Sequence, residues 1–269
     1  MDIKRVLTGV IGFPVIAAIL IFSNTYIFDG IVAIIALIAV HEFYNSFIVR
    51  KKAKPVTFLG YISCIGIALI HIIPKEYLPL IVTLLIPAII LILFAESIFS
   101  KMKTNIIDIS VTLFGMAYVL VFFSFIALIR GLNNGNLLVW YIFMAAWGTD
   151  ILAYLVGKYL GKHKFSEISP KKTIEGCIGG LIGAVLFVLI YTAFLNKVFN
   201  TNISYILMTS YAIIWSILGQ IGDFAASTVK RYTGIKDYSN LLPGHGGMLD
   251  RFDSVIFIAP FAYILLMLI

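Results

Sequence analysis

The chain has 269 residues, of which 61% are hydrophobic and only 12% charged, whereas soluble domains are about 45–50% apolar and about 25% charged. Together with a mean hydropathy of +1.03, this composition excludes an ordinary soluble protein and indicates a polytopic membrane protein. The two cysteines, Cys64 and Cys177, fall inside or at the edge of apolar segments. They predict small packing residues and not a disulfide framework.

Apolar runs recur along the whole chain, and each is long enough to cross a hydrocarbon core of about 30 Å. Lys4 and Arg5 precede the first run as in a signal peptide, but no small-residue cleavage site follows, so we expect a retained helix. The predicted fold class is therefore an all-α membrane protein. Its nine predicted transmembrane helices cover about residues 6–23, 27–48, 57–73, 77–99, 106–130, 137–157, 176–195, 204–226 and 254–269.

Basic residues are distributed unevenly over the predicted loops. With nine spans, the N-terminus and the loops after spans 2, 4, 6 and 8 hold 17 of the 20 Lys and Arg, and the other face holds Lys75, Arg130 and Lys197. Because the face rich in Lys and Arg is cytoplasmic, we expect the N-terminus inside and the C-terminus outside. The net charge of +7 then belongs to the cytoplasmic face, where it orients the protein and attracts anionic headgroups.

The two halves of the chain differ in their polar residues. Residues 1–135, with helices 1–5, are predicted to be a scaffold. Their acids Glu42, Glu96 and Asp108 lie near membrane ends without other functional residues around them, so we expect headgroup-level or helix-packing roles. Residues 136–269, with helices 6–9, carry two polar loops on the cytoplasmic side, and we predict that these are the catalytic loops, 157–176 and 227–253.

The first polar loop follows a span that carries Asp150 about two turns before its end. An ionised carboxylate there is costly unless it faces protein, water or a cation. Ser169-Pro170 predicts a turn, and Lys171 and Lys172 bring positive charge to the start of span 7. Taken alone, this loop also fits an ordinary basic cytoplasmic loop. Three glycines predict that span 7 begins close to a neighbouring helix: Gly176, Gly179 and Gly180.

The second polar loop follows a span whose last turns carry a charged face. At about 100° per residue, Asp223, Ser227 and Lys230 share this face, with Arg231 close by. Pro243, Gly244, Gly246 and Gly247 then disfavour helix and sheet and let backbone N–H groups approach an anion. Helix resumes near Met248, so its positive N-terminal end points back at the glycine-rich loop.

Asp250 and Asp253 are spaced i, i+3 and lie on one face at the start of span 9. With Asp223 across from them, they predict a hard oxygen-ligand site suited to Mg²⁺. The alternative is a helix start that acids stabilise after a Pro-Gly turn.

Both polar loops lie on the same predicted face, so their side chains can meet. Together they offer cations for phosphates, a carboxylate set for a metal and an apolar surround. This combination suits phosphoryl or nucleotidyl transfer to a lipid headgroup, in which catalysis is mostly positioning and charge neutralisation. The P-loop motif is missing from the sequence.

Two stretches of the second half carry a more specific pattern. The first is Asp150-x₂-Ala153-Tyr154-x₂-Gly157 through Ser169-Pro170-Lys171-Lys172-Thr173-x-Glu175-Gly176. The second is Ser227-x-x-Lys230-Arg231-x₄-Lys236-Asp237-x₅-Pro243-Gly244-His245-Gly246-Gly247-x-x-Asp250-Arg251-x-Asp253. This pattern resembles the phosphatidate cytidylyltransferases, or CDP-diacylglycerol synthases, and the second stretch matches their signature without departure. The match is specific over residues 148–180 and 220–254, and over the first 135 residues only the hydropathy is compatible.

The resemblance implies that the protein joins CTP and phosphatidic acid into CDP-diacylglycerol and pyrophosphate, at the cytoplasmic side of a bacterial cell membrane. It also implies Mg²⁺, with K⁺ sharing the centre, and a homodimer that binds no nucleic acid. The implied metal ligands are Asp223, Asp250 and Asp253, and the implied catalytic residues are these three with Lys171, Lys230, Arg231 and Arg251. The implied substrate-binding residues are Asp150, Lys172, Ser227, Lys236, Gly244, His245, Gly246 and Gly247.

Two other functions use similar residues. A CTP-dependent polyprenol or phytol kinase would phosphorylate a hydroxyl acceptor, would need a base to deprotonate it, and would release CDP instead of pyrophosphate. A transporter would use Asp150 and Asp223 as ion-coupling sites, with charges near the bilayer midplane and broken helices in paired halves. The charges gather at one face here, and the sequence has no evident internal repeat, so both alternatives rank behind the cytidylyltransferase.

Overall fold

The computed structural model describes residues 3–166, 169 and 172–269, and the side chains of residues 3–11 and 13 lie outside the description. Over these residues the protein is all-helical, with 76% helix and no β-strand. A π-helical segment, Met116–Val121, joins two of the helices. The α-helices are α1 (Ile3–Phe22), α2 (Thr25–Val49), α3 (Thr57–Ala68), α4 (Leu78–Phe99), α5 (Ile106–Gly115), α6 (Phe122–Arg130), α7 (Gly135–Leu138), α8 (Trp140–Leu160), α9 (Ile174–Phe199), α10 (Tyr205–Thr233) and α11 (Leu249–Leu266).

Each of the nine predicted apolar segments contains a helix, and the third and the last segments differ most from prediction. Among the described residues, six helices are long and apolar enough to cross a membrane: Thr25–Val49, Leu78–Phe99, Ile106–Arg130, Gly135–Leu160, Ile174–Phe199 and Tyr205–Thr233. The helix in the third predicted span is only 12 residues long, because the chain forms turns from residue 69 to residue 72. The last helix begins at Leu249, five residues before the predicted span.

The chain forms two compact units by its internal contacts, and α10 and α11 each contribute residues to both. The first unit comprises Met1–Gly131 and Tyr232–Arg251, and the second comprises Leu132–Arg231 and Phe252–Ile269. The predicted functional division at residue 135 stays a prediction.

Helix α2 runs through the core of the first unit. Its residues Ala36, Ala39, Val40, Phe43 and Tyr44 have no exposed surface. The Tyr44 hydroxyl donates a hydrogen bond to the Thr112 carbonyl oxygen, 2.9 Å away. Close packing stabilises the unit through van der Waals contacts, because lipid is as apolar as these side chains. The tyrosine hydroxyl is hydrogen-bonded, as buried polar groups usually are.

Polar contacts at the helix ends of this unit indicate that α2 and α3 run in opposite directions, whereas α3 and α5 start together and α1 and α6 end together. After α3, His71 Nδ1 lies 2.8 Å from Asp29 Oδ2 near the start of α2. Before α3, the Val56 N–H donates to Thr112 Oγ1 of α5 at 2.8 Å. Arg130 at the end of α6 donates to the Leu20 carbonyl oxygen near the end of α1 at 2.8 Å.

In the second unit, α8 and α9 pack so closely that glycine is required at their contact. A Cβ atom on Gly179 would lie 2.6 Å from Val156 Cβ, and one on Gly176 would lie 2.9 Å from the Ala153 carbonyl oxygen. This confirms the predicted close approach at the start of span 7. Across the unit, the Thr149 hydroxyl donates to Ser216 Oγ at 2.9 Å, which ties α8 to α10.

Candidate active site

The glycine-rich loop belongs to the first unit and forms a tight turn. The Leu242 N–H donates to the Gly246 carbonyl oxygen at 2.9 Å, and the His245 N–H donates to the Leu242 carbonyl oxygen at 2.8 Å. Pro243 and Gly244 are the two central residues of the turn. Gly244 has φ +77° and Gly246 has φ +80°, a region that side-chain-bearing residues rarely adopt. The Pro-Gly turn, which belongs to the alternative in which acids stabilise a helix start, is present.

Asp250, which sequence predicts as a metal ligand, ties this loop together. Its Oδ2 atom accepts hydrogen bonds from the Tyr238 N–H at 2.8 Å and from the Gly247 N–H at 2.9 Å. The residue is only 6% exposed. One of its oxygens is therefore used to hold the two ends of the loop against the start of α11.

Glu42 of α2 is the second carboxylate that holds the loop. It accepts hydrogen bonds from the Met248 N–H at 3.0 Å, from the Leu249 N–H at 2.8 Å and from the Ser239 hydroxyl at 2.5 Å. The expectation that no functional segment surrounds Glu42 is wrong. Sequence spacing could not reveal the contact, because about 200 residues separate the partners and no local pattern encodes such a pairing.

The start of α11 therefore binds an anion that belongs to the chain itself. Three consecutive N–H groups, those of Gly247, Met248 and Leu249, donate to the carboxylates of Asp250 and Glu42. Sequence predicts that an anion would approach this helix N-terminus, and in the structure the chain's own carboxylates occupy these three N–H groups. The positive helix end is satisfied by Glu42.

The second unit contains a polar cavity of about 400 Å³ between α8, α9 and α10. Lys172 forms an ion pair with Asp223 inside it, and the Lys172 ammonium lies 4.1 Å from the centre of the Phe224 ring. Thr173 accepts a hydrogen bond from the Gly176 N–H at 3.1 Å and so caps α9 at the cavity. The lining residues are Thr149, Asp150, Ala153, Tyr154, Gly157, Lys158, Ser169, Lys172, Thr173, Gly176, Cys177, Gln220 and Asp223.

Asp253 brings a further carboxylate to this charged region. It is 8% exposed and interacts electrostatically with the like charges of Asp223 and Asp150 and with the opposite charge of Lys230. Its Oδ1 atom accepts one hydrogen bond, from the Ser254 N–H at 2.8 Å. The second unit therefore places buried Asp253 within the electrostatic field of half-buried Asp223 and exposed Asp150, and like charges of this kind are stabilised by an opposite charge nearby.

An apolar groove adjoins the polar cavity. The groove has a volume of about 570 Å³ and shares Cys177 and Gln220 with the cavity lining. Its walls are otherwise almost entirely apolar side chains of α9 and α10, together with the loop before α9: Phe165, Ser166, Ile174, Ile178, Leu181, Ile217, Ile221 and Phe224. A polar substrate end and an apolar substrate tail could thus occupy neighbouring spaces.

The remaining predicted site residues lie on or near α10 and the loop that follows it. Ser227, Lys230, His245 and Gly246 are half-buried, and Arg231, Lys236, Gly244 and Arg251 are exposed. Lys171 and Pro170 lie outside the described residues. Sequence reasoning missed Lys158 and Gln220, which line the cavity. The one signal for Lys158 was its place beside Gly157 in the matching stretch.

The predicted metal set is chemically suitable but is not assembled as three close ligands. Among the described residues, no group of three His, Cys, Asp or Glu side chains stands close enough to hold a metal ion. The carboxylate oxygens of Asp223 and Asp253 are nevertheless the hard ligands that Mg²⁺ prefers. The Lys172 ammonium now supplies positive charge at Asp223.

Comparison with known protein families identifies the class of protein that this fold and site define. The model of the cytidylyltransferase family matches residues 3–269. Because this match covers nearly the whole chain, the protein belongs to the cytidylyltransferase family.

Individual relatives narrow the similarity further. The phosphatidate cytidylyltransferase of Staphylococcus aureus (strain COL) is 36% identical over 271 residues, covering 97% of this chain and 98% of that protein. The phosphatidate cytidylyltransferase of Staphylococcus haemolyticus is 35% identical over 266 residues, with the same two coverages. The similarity thus extends over the first 135 residues, where the sequence motifs carried no information.

Proposed function

We propose that the protein transfers the cytidylyl group of CTP to phosphatidic acid and produces CDP-diacylglycerol and pyrophosphate. Membership of the cytidylyltransferase family supports the nucleotide and the reaction type. The observation that carries the lipid substrate is the polar cavity with its adjoining apolar groove, joined at Cys177 and Gln220. Phosphatidic acid has the matching composition, a phosphate attached to two apolar chains.

The reaction needs no side-chain nucleophile. A phosphate oxygen of phosphatidic acid attacks the α-phosphorus of CTP and forms the new P–O bond. The bond between the α-phosphorus and the oxygen that bridges to the β-phosphate breaks, and pyrophosphate leaves with the electron pair. The task of the protein is to bring two polyanions together.

Cationic side chains of the second unit suit this task. Lys158 and Lys172 line the cavity, and Lys230 lies within the field of Asp253. They reduce the repulsion between the two substrates and stabilise the charge that builds up on pyrophosphate. We assign the same roles to Lys171, Arg231 and Arg251 from the sequence pattern, and substrate contacts to Asp150, Ser227, Lys236 and the loop 244–247.

We further propose that Mg²⁺ binds at the carboxylates, with K⁺ beside it. Asp223 and Asp253 would hold the metal in the second unit, where Asp150 adds negative charge, and the sequence pattern adds Asp250. A bound Mg²⁺ would neutralise phosphate charge and polarise the phosphoryl oxygens. Lys172, displaced from Asp223, would be available to a substrate phosphate.

The membrane topology that we propose has nine crossings, a cytoplasmic N-terminus and an external C-terminus. The 17-to-3 division of basic residues supports this topology. The contacts between helix ends in the first unit also fit it, because they place the end of α3 beside the start of α2 and the end of α6 beside the end of α1. The active site would then face the cytoplasm of a bacterial cell, and the enzyme would act as a homodimer. In a cysteine-free background, a single cysteine at Asn240 should react with an impermeant thiol reagent only after the cytoplasmic face is opened. Labelling of this cysteine in intact cells would show that the protein has the opposite orientation.

The reaction itself is tested with purified protein, labelled CTP, phosphatidic acid and Mg²⁺. We expect CDP-diacylglycerol and pyrophosphate in equal amounts, and we expect EDTA to abolish both. Release of CDP with a polyprenol acceptor, without formation of the liponucleotide, would contradict the proposal and identify a kinase.

A further inference from the structure

Glu42 of the first unit accepts three hydrogen bonds, and the proposed chemistry does not use it. It is 3% exposed. Its Oε1 atom accepts from the Ser239 hydroxyl at 2.5 Å and from the Met248 N–H at 3.0 Å, and its Oε2 atom accepts from the Leu249 N–H at 2.8 Å. A buried carboxylate is costly unless donors surround it, and here all the donors come from the glycine-rich loop and the start of α11.

The loop is shaped to admit this carboxylate. A Cβ atom on Gly247 would lie 2.6 Å from both oxygens of Glu42, so any larger residue there would push the side chain away. The N–H groups of Met248 and Leu249 are the first donors of α11 and have no partner within the helix. Glu42 therefore supplies from α2 the cap that α11 lacks in its own sequence.

We propose that Glu42 is a positioning residue, which fixes the segment Tyr238–Asp250 and the start of α11 so that the aspartates of this helix are held in place. Asp250 accepts from the Tyr238 and Gly247 N–H groups next to those that Glu42 takes, and Asp253 follows one turn later in the same helix. Without Glu42, the first turn of α11 loses two charge-assisted hydrogen bonds and is free to fray. The catalytic consequence rests on the proposed function, whereas the effect on the loop does not.

The first arm of the test measures the loop directly by hydrogen–deuterium exchange. In the Glu42→Gln variant, an amide NH₂ group replaces one carboxylate oxygen. One loop N–H group then faces a donor in place of an acceptor and loses its hydrogen bond. We expect exchange at Met248 and Leu249 to accelerate at least about tenfold, the factor that loss of one charge-assisted hydrogen bond implies. Ser239→Ala, which removes a single donor, should accelerate it less. Glu96→Gln, at an exposed carboxylate of the same unit, should leave it unchanged.

The second arm measures kinetics. Glutamine fills the same volume as glutamate, so a purely space-filling role would tolerate Glu42→Gln, whereas a positioning role predicts kcat lower by about 100-fold, the cost of a misplaced catalytic group. The KM for CTP should change much less, because Glu42 lies outside the polar cavity. Glu96→Gln should retain wild-type kcat and KM.

Each outcome decides one question. Faster exchange with a lower kcat supports the proposal. Unchanged exchange in Glu42→Gln, or a higher kcat because the carboxylate competed with substrate, would overturn it. If Glu42→Gln does not fold, Ser239→Ala decides through exchange alone. If the wild-type protein makes no CDP-diacylglycerol, the proposed function fails, and the exchange arm still tests whether Glu42 positions the loop.

Discussion

Three buried carboxylates of the first compact unit and two carboxylates of the second have opposite surroundings. In the first unit, Asp108, Glu42 and Asp250 are each satisfied by backbone N–H groups. In the second, Asp223 is paired with Lys172, and Asp253 lies in the field of other acids with one backbone donor. A carboxylate that accepts several N–H hydrogen bonds has its charge stabilised by them and in turn stabilises local structure. A carboxylate that faces other acids is stabilised by a proton or by a cation, and this makes the second set the better candidate for metal and substrate chemistry.

The largest expected effect is at the like-charged set. Asp223→Asn and Asp253→Asn preserve size and remove a negative charge, so we expect activity to fall by roughly 100-fold or more, as when one charge-stabilising group is removed from an active site. The double variant should cost little more than the worse single one, because members of a catalytic unit are non-additive. Folding should persist, since removing one of several like charges relieves repulsion. Mg²⁺ titrations of activity, with the thermal midpoint as control, measure both quantities, and near-normal activity at ordinary Mg²⁺ would reject a catalytic role.

Asp250 is the residue that tests whether the carboxylates of the two units really have different roles. Sequence groups it with Asp223 and Asp253, whereas its contacts group it with Glu42. If Asp250 is a metal ligand, the Asp250→Asn variant should need more Mg²⁺ for activity and should keep an intact loop. If Asp250 only holds the loop, the same variant should show faster amide exchange at Tyr238 and Gly247, and the Mg²⁺ dependence of its activity should be unchanged. We expect both changes, because one oxygen holds the loop and the sequence pattern assigns the carboxylate to the metal.

Lys172 tests whether the cation in the cavity serves substrate or only balances Asp223. Lys172→Gln, and likewise Lys171→Gln, should reduce turnover by about 10-fold or more, since hydrogen bonds to charged groups contribute about 1.5–3 kcal/mol. Protein yield should change little. The matched control is Lys51→Gln, at an exposed lysine of the first unit. Equal losses of turnover in the Lys172, Lys171 and Lys51 variants would show that the first two lysines have only a general membrane-surface role.

The apolar groove should affect one substrate and not the other. Ile178→Trp narrows the groove, and overpacking of this kind costs about 1–3 kcal/mol, so turnover of long-chain phosphatidic acid should fall roughly 5-fold or more. Turnover of a short-chain analogue and the KM for CTP should stay unchanged. Ile190→Trp is the control, because Ile190 lies on the same helix and is similarly exposed, 61% against 54% for Ile178. Equal losses for both chain lengths would argue against a lipid-tail groove.

The smallest expected effect is at Asp108. Its carboxylate accepts from the Asn105 N–H at 3.0 Å and from the Lys54 N–H at 2.5 Å, as part of a capping box at the start of α5. Asp108→Ala should lower stability by about 1 kcal/mol, which corresponds to about 2–4 °C in thermal midpoint. Specific activity should be unchanged. A loss of activity in folded protein would show that this carboxylate does more than cap a helix.

Much of the local structure could be predicted because its cause is local. Hydropathy located a helix in each apolar segment, since apolar side chains of a membrane protein must cover about 30 Å of hydrocarbon. Glycine spacing predicted the close contact of α8 and α9, and Pro243-Gly244 predicted the turn, because both depend on the absence of a side chain. Span length was less predictable at α3, where the chain turns after Ala68 within an apolar run that hydropathy alone does not divide.

What the sequence alone determined is the helical membrane architecture, the turn of the glycine-rich loop and the acidic and basic residue types that suit nucleotidyl transfer. Tertiary structure alone decided the partners: Glu42 for the start of α11, Asp150 for the field around Asp253, and Lys172 for Asp223. The physical reason is that periodicity and turn chemistry act over a few residues, whereas a buried carboxylate must find its donors wherever the fold brings them. The sequence indicated which residue types form the site, but it did not indicate which of these residues contact each other.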